Sequence, residues 1–204
     1  LSRLVAEDSV PSLAQILEPA RELPVAGEWD VIIAGGGPAG IAAAIASARA
    51  GASTCLIEQH GCLGGIWTAG LLCWILDHAN KPGLMSEILR ELERRGARTL
   101  DPSGRPTNAY DPEAMKLLLD DLCLASGVEI RLHTRVCAAR VADRQLSHVI
   151  AESFSGREAF AARVFVDATG NGDLAAHAGC SFELGHPDTG RTQPMSLMAI
   201  LTGV

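Results

Sequence analysis

Six consecutive residues, Gly35-Gly36-Gly37-Pro38-Ala39-Gly40, leave few folds open to this chain. Gly35, Gly37 and Gly40 have GxGxxG spacing, in which the first glycine allows a tight turn, the second lets a pyrophosphate reach the backbone and the third brings a helix close to a sheet. Glycine supplies 21 of the 204 residues, so this spacing arises readily by chance and gains meaning only from its position. Before it, Asp30 to Ala34 is an apolar, β-branched run, the pattern of a strand buried in a parallel sheet. After it, Pro38 suits a first helical position, and Gly51 is placed to end the helix beyond Ala50 in a left-handed turn. Ser53 to Glu58 then gives a second buried strand, completing a βαβ unit of about 30 residues. The match therefore falls at a strand-to-helix junction, where unbonded N–H groups can hold an anion.

Glu58 closes the second strand roughly 20 residues beyond the glycines, where an acid receives the hydroxyls of a ribose. A carboxylate there also repels a 2′-phosphate, which disfavours NADP. The alanines within Ala42 to Ala48 keep the first helix slim, as any strong helix former would.

Further along, Gly61 to Thr68 is predicted to be a glycine-rich loop and Leu84 to Arg95 an amphipathic helix with Leu84, Ile88 and Leu92 on one face. A polar loop is expected from Asp101 to Asn108. Asp111 as N-cap, Pro112, Glu113 and an apolar face of Met115, Leu118, Leu119 and Leu122 predict a helix that stops at Gly127. Val128 to Leu132 follows as a strand. Alternation from Arg135 to Val166, with a turn near Ser155-Gly156, predicts a β-meander covering one sheet face. Val164 to Ala168 reads as another buried strand. The first 28 residues form an arm with a short helix around Ser12 to Leu17.

Bulk composition excludes several classes. With 48% apolar and 20% charged residues the chain is an ordinary globular one, long enough for a domain and the beginning of another. A formal charge of -7 without a Lys/Arg cluster argues against nucleic acid as a partner, and no apolar run is long enough to span a membrane. Without a secretory leader the expected location is cytoplasmic. The six cysteines lack CxxC pairs and are expected to be reduced thiols. His78, His133, His148, His177 and His186 have no metal-ligand spacing, so no metal site is assigned. Cys62 and Cys73 lack the CxxxxC spacing of redox disulfides, and Trp67 and Trp74 are expected in the core.

Four segments taken together carry a resemblance. They are Asp30-Val-Ile-Ile-Ala-Gly-Gly-Gly-Pro-Ala-Gly40, then Glu58, then Leu63-Gly64-Gly65 with Thr68, then Val166-Asp167-Ala168-Thr169-Gly170 followed by Gly172-Asp173. From about residue 18 to the end the chain resembles the FAD-dependent oxidoreductases that have a glutathione-reductase-like cofactor domain. That resemblance implies an α/β fold: a doubly wound, Rossmann-like parallel sheet with a β-meander crossover and the start of a second domain. An arm would occupy 1–28, the FAD-binding domain 29–185, and a truncated substrate domain would begin at 186–204.

It also implies a FAD site. Gly35, Gly37, Pro38, Ala39 and Gly40 would form the pyrophosphate turn, and Glu58 with Gln59 would hold the adenosine ribose. Gly64 and Gly65, with Thr68, would lie along the pyrophosphate and flavin, while Val136 would offer its main chain to adenine. Ala168, Thr169 and Gly170 would close over the adenosine half, and Asp173 would face the diphosphate or ribityl region. His60 and Cys62 stand where larger apolar side chains are expected, making the flavin-facing surface more polar. The implied activity is transfer of a hydride or electrons between FAD and a small-molecule substrate, with no catalytic residue assigned; a homo-oligomer is compatible with this. An NAD-binding dehydrogenase and a non-catalytic nucleotide-binding module are the other readings, and the Leu63-Gly64-Gly65 loop favours the flavoprotein.

Overall fold

The computed structural model describes residues 18–76 and 78–201; the helix expected around Ser12 to Leu17 lies outside them. The elements run β1 (Val25–Ala34), α1 (Pro38–Arg49), β2 (Thr54–Ile57), a 3₁₀ turn at Gly65–Trp67, α2 (Leu84–Arg94), β3 (Arg98–Leu100), β4 (Pro106–Tyr110), α3 (Pro112–Ala125), β5 (Glu129–Arg131), β6 (Arg135–Ala142), β7 (Gln145–Ser153), β8 (Gly156–Asp167) and α4 (Asp173–His177). Six strands make one sheet in the order β5-β2-β1-β8-β7-β6. The first four are mutually parallel, and β8, β7 and β6 pair antiparallel as the meander.

Side chains that alternate along the strands divide the interior in two. Ile33 and Leu56 face Ile41, Ala44 and Ile45 of α1, Ile88 and Leu92 of α2, and Met115, Leu118 and Leu119 of α3. Ile32, Ala34, Cys55 and Ile57 point the other way, against Val136, Val149, Ala151, Phe160 and Leu174. The meander thus extends the sheet by hydrogen bonds and curls so that its inner side chains cover the face opposite the helices. The helix start at Asp111 is built as its sequence indicates, with the carboxylate accepting from the Glu113 and Ala114 amides at 2.8 and 3.3 Å.

Three segments differ from the sequence expectation. First, β1 begins at Val25, inside the expected arm, because Val25 to Trp29 pairs with Ala159 to Ala162 of β8. The Trp29 ring stacks on Phe160 at 5.9 Å, so partners far along the chain set this boundary. Second, Asp101 to Asn108 is a hairpin turn followed by a strand: Asp101 accepts from the Ser103 and Arg105 amides at 2.8 and 2.9 Å, and β3 pairs with β4. Strands of three and five residues are too short to show alternation. Third, the last meander strand and the strand expected at Val164 to Ala168 are one element. Its first half pairs with β7, and the stretch from Ala159 to Asp167 pairs with β1.

All six cysteines are free. Burial, reinforced by Glu129 for one and Asp120 for the other, pushes the Cys55 and Cys123 thiols up to about 12, which keeps both protonated and unreactive. Among the described residues no helix is long and apolar enough to cross a membrane, and no three His, Cys, Asp or Glu side chains gather as a metal site.

Candidate cofactor site

The carboxyl ends of β1, β2 and β8 and the start of β6 meet around a cleft of about 530 Å³. In an open α/β sheet this edge is where ligands bind. Gly35 holds φ 103°, a left-handed conformation, and an added Cβ would stand 2.3 Å from the Ala168 carbonyl oxygen. Only glycine lets β1 turn this close to the end of β8. Gly40 lies against the same turn, with its Cβ position 1.8 Å from the Gly35 oxygen. Gly36, to which the motif assigns no role, is also confined, since its Cβ would meet Leu63 at 2.8 Å and Glu58 at 3.0 Å. Gly37 is the exception: nothing among the described residues stands within 4 Å of its Cβ position.

Gly37 is also the N-cap of α1, and among the described residues no side chain caps the first turn. The amide groups there are left for something outside the helix.

Glu58 is buried, and both carboxylate oxygens accept backbone amides, Oε2 from Gly36 at 2.6 Å and Oε1 from His60 at 2.7 Å. It therefore ties the glycine turn to the end of β2, a role its position in the sequence does not disclose. A carboxylate has about four acceptor directions, so both oxygens keep capacity for a ligand hydroxyl. Next to it, Glu58 O accepts from Thr134 N at 2.9 Å and His60 O from His133 N at 3.1 Å, which registers the β5–β6 connection against the end of β2.

Asp167 organises the far wall. Its Oδ1 accepts from the Thr169 amide and hydroxyl at 3.0 and 2.7 Å, and its Oδ2 from the Ala175 amide at 2.8 Å. Burial draws the Asp167 pKa upward, but the hydrogen bonds from Ala175, Thr169 and Leu174 outweigh it and leave the carboxyl below its ordinary 3.8. Stability from this group is full above pH 3.8 and lost as pH falls through the lower folded value. Asp167→Asn should thus cost about 2 kcal/mol near neutrality, the scale of a hydrogen-bonded charge, with the gap to wild type narrowing in melts below about pH 3.8. A constant gap across that range would refute the charge argument.

Of the residues assigned from sequence, Gly35, Gly37, Pro38, Ala39, Glu58, Gln59, Gly65, Val136, Ala168, Thr169, Gly170 and Asp173 all line the cleft. Gly40, Gly64 and Thr68 do not. Gly40 is buried between α1 and the turn. Gly64 donates to the Gly36 oxygen at 2.8 Å, and Thr68, fully buried, donates to Leu63 O at 2.5 Å, so both build the loop from behind. The cleft also takes in Ile57, His60, Ile66, Ala69, Gly70, Thr134 and Arg135. Of these His60 had a sequence signal, though its backbone ties it to Glu58 and His133; Cys62 lies outside the cleft, its Sγ 3.9 Å from Thr68 Oγ1. The Tyr110 hydroxyl, 2.8 and 2.9 Å from the Trp67 and Leu72 carbonyl oxygens, pins the glycine-rich loop. Trp67 packs on the core, whereas Trp74, also expected there, is 46% exposed because its strand-like contact with Ala109 lies at the surface.

A parallel sheet with a glycine turn at an uncapped helix, an acid at the next strand end and a meander crossover defines a Rossmann-like dinucleotide-binding flavoprotein fold. The model of the FAD dependent oxidoreductase family matches residues 30–204, and the chain belongs to that family, whose cofactor is FAD. Over 45 residues, 22% of this chain and 9% of the relative, it is 44% identical to dihydrolipoyl dehydrogenase from Trypanosoma brucei brucei. Its fold is similar to that of a geranylgeranyl bacteriochlorophyll reductase-like protein from Thermoplasma acidophilum, with TM-score 0.54 and 19% identity over 74% of this chain and 42% of that one. It is also similar to the myxobacterial chondrochloren halogenase CndH, with TM-score 0.55 and 21% identity over 70% of this chain and 37% of that one. The chain thus spans less than half the length of either structure.

Proposed function

We propose that the cleft holds FAD and that the protein transfers a hydride or electrons between this cofactor and a small-molecule substrate. The observation that carries the reading is the open Cβ direction of Gly37 at the uncapped start of α1, in the same cleft as Glu58. There the amides that open α1, that of Ala39 among them, would take the pyrophosphate, and Gly65, whose Cβ position lies 2.9 Å from Gly37 Cα, would leave room for it. Glu58 and Gln59 would hold the ribose, the Val136 main chain would meet the adenine, and Ala168, Thr169, Gly170 and Asp173 would form the wall across from α1. FAD, when bound, supplies the redox chemistry at its ring, and the protein supplies orientation and electrostatics.

The carboxyl edge of β1, β2 and β8 is the cofactor half of such an enzyme. Residues 186–204 are proposed to lead into a substrate domain, which fits a chain shorter than half of the structures it resembles. The reading is tested on the purified protein by its visible absorbance and by the flavin released on denaturation. A yellow protein that releases FAD is expected; a chain that neither carries FAD nor takes it up on titration would refute it.

A further inference from the structure

The residues that line the cleft include four that titrate or carry charge, Glu58, His60, Arg135 and Asp173. Two are acids, and Arg135 is the one whose positive charge is independent of pH. Several arginines outside the cleft close on carboxylates, Arg49 on Glu87 at 2.7 Å and Arg95 on Asp121 at 2.7 Å among them. Arg135 does not. Its cross-strand neighbour in the meander is Glu152, but Glu152 accepts from Arg157 at 3.1 Å. The Arg135 guanidinium makes no hydrogen bond or ion pair among the described residues, and its charge weakly opposes the burial that raises the Cys137 thiol. An exposed arginine in the lining of a cleft, with no partner among the described residues, is available to a ligand.

Its position limits which part of a ligand it can meet. Arg135 opens β6 one residue after Thr134, whose amide is fixed on the Glu58 carbonyl oxygen at 2.9 Å. It therefore stands at the Glu58 end of the cleft, together with Gln59 and His60. The phosphates of a dinucleotide would sit at the start of α1, and Glu58 beside Arg135 disfavours a further phosphate on the ribose. What remains at this end is the flat base, and a planar guanidinium binds a flat aromatic face by stacking and cation–π attraction.

We infer that Arg135 is an adenine anchor, its guanidinium lying against the base of the bound dinucleotide and positioning the adenosine half. This rests on the reading of the cleft as a dinucleotide site, and the test separates the two. FAD, FMN and ADP are titrated into the full chain and into its Arg135→Ala and Arg135→Lys variants. Because the side chain holds nothing among the described residues, the melting temperature of the ligand-free variants should match wild type. Arg135→Ala should weaken FAD and ADP roughly 3- to 30-fold, the span of a cation–π contact, and leave FMN where wild type has it. Arg135→Lys, which keeps the charge without the plane, should recover only part of the loss. Unchanged FAD and ADP affinity in Arg135→Ala, an equal loss for FMN, full rescue by lysine, or tighter binding of a 2′-phosphorylated ADP than of ADP would each overturn the assignment while the dinucleotide site stands. Failure of wild type to bind either FAD or ADP would overturn both.

Discussion

Replacing Gly37 with valine should leave the protein folded and cost it the cofactor. Gly37 adopts φ -72° and ψ -177°, an extended conformation open to every residue. The backbone there suits valine, and its Cβ meets nothing within 4 Å among the described residues. The new methyl groups would instead fill the space beside the first-turn amides of α1, where the pyrophosphate is proposed to lie. Hydrogen bonds to charged groups contribute about 1.5–3 kcal/mol each, so displacing two should weaken FAD binding by about 100-fold or more. Circular dichroism melts of the ligand-free protein should barely move, and flavin titration should show the loss. If Gly37→Val bound FAD as tightly as wild type, the phosphates would have to rest elsewhere, and the assignment of the cleft would fail.

What the sequence discloses and what it hides follow from the range of the interactions involved. The βαβ unit, the glycine turn and the capped start of α3 were legible because neighbouring residues determine them: a strand ending just before Gly35, a proline and an unhindered amide turn, Asp111 ahead of Pro112; the cleft wall from Gly65 to Asp173 followed only from the family resemblance. The early start of β1 was not, since Val25 to Trp29 is ordered by Ala159 to Ala162 more than a hundred residues away. For the same reason Thr134 and Arg135 were missed: they reach the cleft through the bond from Thr134 to the Glu58 carbonyl, which no local pattern announces. Thr68 and Gly64 lie the other way, outside the cleft lining. The family resemblance implies ligand contact for them, while the hydrogen bonds to Leu63 and Gly36 turn them inward.

Gly40→Ala should do the reverse of Gly37→Val and unfold the protein before affinity can be measured. In an ordinary helix position the change to alanine stabilises by up to about 1 kcal/mol. Here the added Cβ would lie 1.8 Å from the Gly35 carbonyl oxygen, with the Ala168 methyl at 3.3 Å behind it. The obstruction is backbone, and that backbone is the turn between β1 and α1, itself wedged against Ala168. Relief requires α1 to move off the sheet, which opens the contacts of Ile41, Ala44 and Ile45 with Ile33 and Leu56. Overpacking of this kind typically costs 1–3 kcal/mol and more when the neighbour cannot yield, so a loss of about 3 kcal/mol or greater is expected against a total of about 5–15. Urea denaturation of the ligand-free chain measures it. Gly36→Ala should fall between the two extremes, because the Leu63 side chain it meets at 2.8 Å can rotate while the Glu58 oxygen at 3.0 Å is held. The ordering Gly37, Gly36, Gly40 in rising stability cost, with loss of FAD affinity at Gly37 despite an intact fold, would mark which glycine faces the cofactor. An ordering in which Gly40→Ala is as stable as Gly37→Val would mean that α1 does not lie against the β1 turn as described.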